Sequence, residues 1–321
     1  MKIIPKTKLT ESAKAARFHN GWILCILISL LLFLIASALQ SVIYTPAMMV
    51  YLFNNSAMQN AINSGNFAEL APTFTEILTN MPAWLIILQL FLTFTVILVC
   101  LVYATKIEKR SLASVGFCGS KPFVEYLIGL GIGFVMLTAA LLLCVITGNA
   151  SFTGISPTIS WVIVLFFVGY LIQGMSEEVL CRGILMQKLA IRYAPIVAIL
   201  LNAVFFAALH LGNPGITPLA IPNLTLFGVF ASLYMWKRGN IWGIAALHSM
   251  WNFTQGNLFG VQVSGTPQSA SIFGVVMKDG AAWMNGGSFG LEGGLAVTIV
   301  LAIGIVILFL LPVRKEARLD N

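Results

Sequence analysis

The sequence predicts an all-α protein, a polytopic membrane bundle of about eight transmembrane helices. Its 321 residues are 59% hydrophobic and only 9% charged, whereas soluble domains carry about 25% charged residues. Apolar runs of roughly 20 residues, the length that crosses a bilayer as a helix, recur along the chain. Strands of a membrane barrel would instead alternate polar and apolar residues over about 10 positions, and no stretch of this sequence does so.

Polar or turn-forming residues bound each predicted span. A basic leader precedes the first one; this leader and Ala36-Ser37-Ala38 also resemble a signal peptide, but apolar sequence continues to Tyr44, which favours a retained helix. In the third span, Gly129, Gly131 and Gly133 predict close helix packing. The predicted spans are 22–46, 82–104, 123–147, 160–180, 194–211, 216–236, 241–258 and 293–312.

The connections between the spans suggest how the chain is organised. The 47–81 connection has room for a short helix around 56–64, and the segment 259–292, rich in Gly and Ser, is expected to form a long external loop or a re-entrant piece. The 105–122 loop separates two accessory spans from the remaining six. The predicted regions are an N-terminal cytoplasmic tail at 1–21, an accessory transmembrane pair at 22–104, a cytoplasmic loop at 105–122, a transmembrane core at 123–312 and a cytoplasmic tail at 313–321.

The basic residues are concentrated on one side of the predicted spans. Of the 18 Lys and Arg residues, only Lys278 falls in the alternate connections 47–81, 148–159, 212–215 and 259–292. The positive-inside rule therefore places both termini in the cytoplasm. This distribution also argues against a nucleic-acid partner, despite the net charge of +7. We expect a multi-pass protein surrounded by the lipid bilayer, and the sequence does not specify its oligomeric state.

Three polar motifs interrupt the apolar second half of the chain. An ionised side chain in hydrocarbon costs on the order of 3 kcal/mol, so residues of this kind suggest a functional site. The motifs are Glu177-Glu178-Val-Leu-Cys-Arg182, Phe206-Ala-Ala-Leu-His210 and His248-Ser-Met-Trp-Asn252.

The spacing of the first motif assigns different surroundings to its two glutamates. Residues four apart share one face of a helix, so Glu178 and Arg182 are predicted to form an ion pair. Glu177 is rotated from Glu178 by about 100° and stays unpaired, which makes it a candidate general base or acid. In the alternative interpretation, both carboxylates lie at a solvated helix end among the lipid headgroups.

The two histidine motifs allow both catalytic and packing interpretations. His210 precedes Leu-Gly-Asn-Pro-Gly, a sequence that ends helices. His248 and Asn252 share a helix face and can both donate hydrogen bonds to a developing oxyanion, or His248 can bind a metal. Alternatively, His210 is a hydrogen-bonded packing residue, and His248 and Asn252 bridge two helices.

The three motifs, in this order on successive apolar helices, resemble those of the CPBP family. This family includes the CaaX-processing proteases of eukaryotes and bacterial bacteriocin-processing and self-immunity proteins. The resemblance covers roughly residues 120–260. It implies an intramembrane endopeptidase of a bacterial plasma membrane that cleaves a membrane-associated protein or peptide, with Glu178 and Arg182 maintaining the geometry of the site.

The resemblance also implies roles for the other motif residues. Glu177 would activate the attacking water with help from His210, and His248 and Asn252 would stabilise the tetrahedral oxyanion. If a divalent metal such as zinc takes part, its ligands would be Glu177, His210 and His248. Since the sequence lacks the zinc-protease pattern H-E-x-x-H, its spacing does not decide whether a metal cofactor is required.

Two other functions are compatible with the motifs. A catalytically silent immunity or scaffold protein would keep them and act by binding a partner, although three intact motifs argue weakly against this. A proton-coupled transporter could use Glu177 and the histidines as a relay, but the two halves of the chain show no internal repeat.

The predicted spans place the motifs at different depths. Glu177 lies near the inner end of the fourth span and His210 near the outer end of the fifth, roughly 25 Å apart at about 1.5 Å per residue. A single site therefore requires that the fourth helix continues through 181–190, or that the fifth is short and ends inside the protein.

Overall fold

The computed structural model describes residues 5–65 and 67–319. Residues 1–4 of the predicted N-terminal tail and residues 320–321 of the predicted C-terminal tail lie outside the described residues. The described chain is mostly helical and contains one two-stranded sheet, which confirms the all-α prediction.

The helices are α1 (Lys8–Ala13), α2 (Trp22–Asn54), α3 (Ser56–Asn63), α4 (Phe67–Thr79), α5 (Ala83–Ile107), α6 (Leu112–Val115), α7 (Pro122–Ile146), α8 (Val162–Arg192), α9 (Pro195–Leu209), α10 (Ala220–Arg238), α11 (Trp242–Phe253), α12 (Ala282–Asn285) and α13 (Leu295–Leu310). The strands are β1 (Ala150–Ile155) and β2 (Phe273–Met277).

Each predicted span corresponds to a helix, but the expected count of eight membrane spans is not confirmed. Among the described residues, four helices are long and apolar enough to cross a membrane, namely α2, α5, α7 and α8. The apolar helices α9 and α13 have only 15 and 16 residues. Along α2, large apolar side chains such as Leu31 and Val42 are 55% and 69% exposed. A surface of this kind is suited to lipid and not to water.

Helix α8 resolves the conflict in depth between the motifs. It continues to Arg192, 12 residues beyond the predicted end at 180. Its residues Val179–Met186 adopt the wider π-helical spacing, which often occurs at functional sites. Because α9 ends at Leu209 after 15 residues, both sequence-based solutions, a long fourth helix and a short fifth one, are present.

Glycines bring α7 and α11 into close contact. A Cβ atom at Gly129 would lie 2.0 Å from the Gly243 carbonyl oxygen, and one at Gly133 would lie 2.3 Å from that of Leu247. The predicted packing is therefore confirmed for these two glycines, whereas Gly131 faces open space. The contact fixes α11, which carries the third motif, against α7.

The sheet was not predicted. β1 follows α7 and pairs in antiparallel fashion with β2, which lies in the segment expected to be a loop or re-entrant piece. Both strands are short and largely exposed, so they lack the apolar periodicity that reveals a strand in sequence. Helix α3 confirms the short helix expected around 56–64, while α4 was not anticipated.

Candidate active site

The three motifs meet at one cavity inside the bundle. Helix α8 supplies Glu177, α9 ends with His210 as its C-cap, and α11 supplies His248 and Asn252. All four residues line a cavity of about 460 Å³. The folded chain thus brings together residues that the sequence placed at different depths.

The predicted ion pair between Glu178 and Arg182 is confirmed. Arg182 Nη1 donates to Glu178 Oε1 at 2.9 Å, and both side chains are fully buried. A second guanidinium nitrogen donates to the Gly228 carbonyl oxygen at 3.3 Å, and the guanidinium carbon lies 4.6 Å from the centre of the Phe206 ring. The solvated headgroup alternative is therefore wrong for Glu178.

The histidine rings are oriented by hydrogen bonds from their Nδ1 atoms. His210 Nδ1 lies 2.8 Å from the Phe206 carbonyl oxygen, and since a carbonyl only accepts, this nitrogen carries the proton. His248 Nδ1 lies 2.9 Å from Glu178 Oε1 and donates to this carboxylate, which also binds Arg182. Each ring therefore directs Nε2 away from its anchoring partner.

Both Nε2 atoms face one oxygen of Glu177. Glu177 Oε2 lies 3.9 Å from His210 Nε2 and 3.8 Å from His248 Nε2. These separations are too long for direct hydrogen bonds. Within the described part of the chain, Oε2 is buried and has no hydrogen-bond partner, although 27% of the Glu177 side chain is exposed. An acceptor oxygen and two imidazole nitrogens thus converge on one space.

Gln173 is a site residue that the motifs did not reveal. Its Nε2 donates to Glu177 Oε1, and its Oε1 accepts from Asn252 Nδ2 at 2.9 Å. This bridge connects α8 to α11 and leaves Glu177 Oε2 directed at the histidines. A glutamine four residues before Glu177 in an apolar run was the available signal.

Aromatic rings pack behind the histidines. The Phe227 ring centre lies 4.9 Å from that of His248, 5.6 Å from that of Phe206 and 5.6 Å from that of Trp251. The Phe206 ring also lies 4.7 Å from the ring of His210. These contacts restrict both imidazoles and exclude water from their apolar side.

Glu292 also reaches the cavity, from outside the region covered by the motifs. Its Oε1 accepts from Trp251 Nε1 at 3.2 Å. Its Oε2 accepts from the Ser264 amide at 2.9 Å and from the Ser264 hydroxyl at 2.6 Å. Glu292 therefore attaches the chain around Ser264 to the helix that carries His248. No sequence pattern distinguished it from a loop carboxylate.

The three expected metal ligands fit a divalent cation by the kind of donor they supply. Carboxylate oxygen and imidazole nitrogen are zinc donors, and both histidines have their other nitrogen anchored, as metal-binding histidines do. Two ligands of a tetrahedral zinc lie about 3.3 Å apart, closer than the 3.8 and 3.9 Å found here. Within residues 5–65 and 67–319, no group of three or more His, Cys, Asp or Glu side chains is placed so that it could hold a metal ion, so the three residues match in donor type and not in their spacing.

A model of a known protein family matches part of the chain. The model described as Rce1-like, type II CAAX prenyl endopeptidase Rce1-like, matches residues 159–254. This segment contains all six residues of the expected site, together with Gln173. Comparison with curated proteins and with solved structures gives no match.

Proposed function

Because residues 159–254 place this chain in the CPBP/CaaX protease family, we propose that it is an intramembrane endopeptidase acting on a membrane-associated protein or peptide. The observation that carries the proposal is the arrangement around Glu177, whose unpaired Oε2 faces the Nε2 atoms of His210 and His248. A general base needs such an oxygen beside the water that it activates.

In the first step, Glu177 removes a proton from a water held between its Oε2 and His210. The oxygen of this water attacks the scissile carbonyl carbon, and the carbonyl electron pair moves to its oxygen. His248 donates to this oxyanion from Nε2 when its ring is protonated, and Glu178 beside Nδ1 compensates the charge. The second N–H of Asn252 supplies another donor.

In the second step, Glu177 transfers its proton to the nitrogen of the scissile amide. The carbonyl re-forms, the C–N bond breaks, and the products are a carboxyl group and an amine. The aromatic packing behind the histidines and the buried pair of Glu178 and Arg182 hold the donors in place during both steps.

A divalent cation, if the active protein contains one, would be held by Glu177, His210 and His248. It would supply Lewis-acid polarisation of a carbonyl oxygen and of a bound water. In that form the Oε2 atom of Glu177 would be a metal ligand, because Oε1 already accepts from Gln173, so the role of Glu177 as proton acceptor described above belongs to the metal-free form. Metal analysis of active protein, with and without a chelator, distinguishes the two forms.

The test uses the full chain in liposomes and a set of single-span peptides that carry a fluorophore and a quencher. Glu177→Gln removes the base with little change in shape, and we expect it to abolish cleavage without changing the circular dichroism spectrum. Glu76→Gln, at an exposed glutamate of α4, is the matched control and should retain full activity. Undiminished cleavage by Glu177→Gln would contradict the mechanism, and a folded wild type that binds but cleaves none of the peptides would favour a silent scaffold.

A further inference from the structure

The segments that connect the helices form two groups, one at each end of the long helices. At the first end, the Arg17 amide donates to the Glu108 carbonyl oxygen at 2.8 Å, and the Arg314 amide donates to that of Lys237 at 2.9 Å. The Arg192 guanidinium donates to the His19 carbonyl oxygen at 3.2 Å. These and similar contacts join 5–21, 105–121, 192–194, 237–241 and 313–319.

The second group lies at the opposite end of α7, beyond Ile146. β1 pairs there with β2, and the Ser156 amide donates to the Ile272 carbonyl oxygen at 2.9 Å. Asn213 Nδ2 donates to the Ser264 carbonyl oxygen at 3.0 Å. These contacts join 147–159, 211–215 and 262–293.

The two ends differ sharply in charge. Among the described residues, the second group contains one basic residue, Lys278, which is exposed. Arg182 and Lys188 are buried within α8 and paired with carboxylates, so they say nothing about sidedness. The remaining Lys and Arg residues of the described chain lie at or near the first end. By the positive-inside rule, the first end is cytoplasmic.

The cavity belongs to the second end. Besides helix residues, it is lined by Met81, Asn213, Pro214, Glu292 and the segment 263–267, all from connections of that end or from the accessory connection 47–81. No lining residue belongs to the basic connections. Pro214 is exposed at its rim and Ser264 is half-buried, so the polar rim faces the weakly charged side of the molecule.

We infer that the cavity is entered from the non-cytoplasmic side of the membrane. The consequence of this inference for the substrate class rests on the proposed function. The scissile bond must lie in a peptide segment that has already left the cytoplasm, such as the external part of a membrane-anchored protein or an exported peptide held at the outer surface. A cytoplasmic tail cannot reach Glu177 without crossing the membrane.

The test labels single cysteines in intact cells with a maleimide that does not cross the membrane. Four of the five native cysteines are fully buried, and Cys118→Ser removes the half-buried fifth. In this background, Thr266→Cys places a thiol on the cavity wall and Lys278→Cys places one beside the sheet. Ser120→Cys, at an exposed position of the basic end, is the matched control.

We expect Thr266→Cys and Lys278→Cys to be labelled in intact cells, and Ser120→Cys only after permeabilisation. Labelling of Ser120→Cys alone in intact cells would overturn the orientation. A different result would overturn entry from outside. In that result, Lys278→Cys is labelled in intact cells, whereas Thr266→Cys is labelled only after permeabilisation. The readout does not require proteolysis, so an inactive protein with the expected labelling would contradict the proposed function and leave the inference standing.

Discussion

At the scale of single residues, adjacent glutamates have opposite surroundings. Glu178 is fully buried and compensated by Arg182 and His248, whereas one oxygen of Glu177 is left without a partner among the described residues. Helical spacing was sufficient to predict the ion pair. The same spacing puts Gln173 on the face of Glu177, but one uncharged glutamine in an apolar run lies outside the three motifs and does not by itself indicate a site residue.

Gln173 is expected to act by positioning Glu177. Gln173→Ala removes the hydrogen bond that fixes Glu177 Oε1, and a hydrogen bond to a charged group contributes about 1.5–3 kcal/mol. We therefore expect kcat to fall roughly tenfold to a hundredfold with KM nearly unchanged, measured on a cleavable peptide in liposomes. Gln89→Ala, an exposed glutamine of the same cavity, is the control. An equal fall in both variants would assign the effect to the cavity surface.

Arg182 is expected to be required for stability. Arg182→Ala leaves Glu178 buried without its cation, and breaking a buried pair on one side costs about 3–5 kcal/mol. Thermal unfolding in detergent should therefore occur at a clearly lower temperature, with loss of activity. Lys315→Ala, at an exposed basic residue, should unfold as the wild type does. An unchanged unfolding temperature for Arg182→Ala would show that Glu178 is neutral or otherwise compensated.

At the scale of elements, every apolar run that was predicted as a span corresponds to a helix, but the predicted end of the fourth span is wrong. The predicted fourth span stopped at 180 because Arg182 and Lys188 follow it, yet α8 continues to Arg192. Both cations are buried beside Glu178 and Glu108. Whether a charge ends a helix or lies within a bundle depends on a partner that can be 80 residues away, and local sequence does not contain this information.

The contact between α7 and α11 offers a test with an internal control. Gly133→Ala directs a methyl group at the Leu247 carbonyl oxygen, 2.3 Å away, so α11 must shift and take His248 with it. We expect lower thermal stability and lower activity. Gly131→Ala, two positions away and facing open space, should be neutral or stabilising, since Ala favours a helix over Gly by about 1 kcal/mol. Equal unfolding temperatures for the two variants would exclude close packing at Gly133.

At the scale of the whole molecule, the segment 259–292 lies at the end of the bundle beyond Ile146 and forms one wall of the cavity. Glu292 holds it to α11 through Ser264 and Trp251, and β2 holds it to β1. The sequence indicated a loop here but not its attachment, because these contacts join residues from distant parts of the chain. The six motif residues stand out in the sequence as polar residues in apolar runs and through the resemblance to a known family, whereas nothing in the sequence indicated the wall beside them.

Glu292→Ala is expected to loosen this wall without removing the proposed base. The Ser264 amide, the Ser264 hydroxyl and the Trp251 indole lose their acceptor. The backbone amides of 262–268 should therefore exchange hydrogen faster. The increase is about tenfold or more if one such bond contributes over 1.4 kcal/mol. Exchange followed by mass spectrometry measures this. Amides of the distant segment 111–120 are the control. Unaltered exchange at 262–268 would show that the sheet alone fixes the segment.

The burial of Arg182 and Lys188 also bears on how the chain enters the membrane during synthesis. α8 is the least apolar of the four candidate spans, and two cations would hinder its insertion if they stayed uncompensated. Their acidic partners, Glu178 and Glu108, both precede them in the chain and have therefore already been translated when the cations emerge from the ribosome. Both buried positive charges of α8 can thus be neutralised as they are made, and the order of these residues is itself an aid to biogenesis.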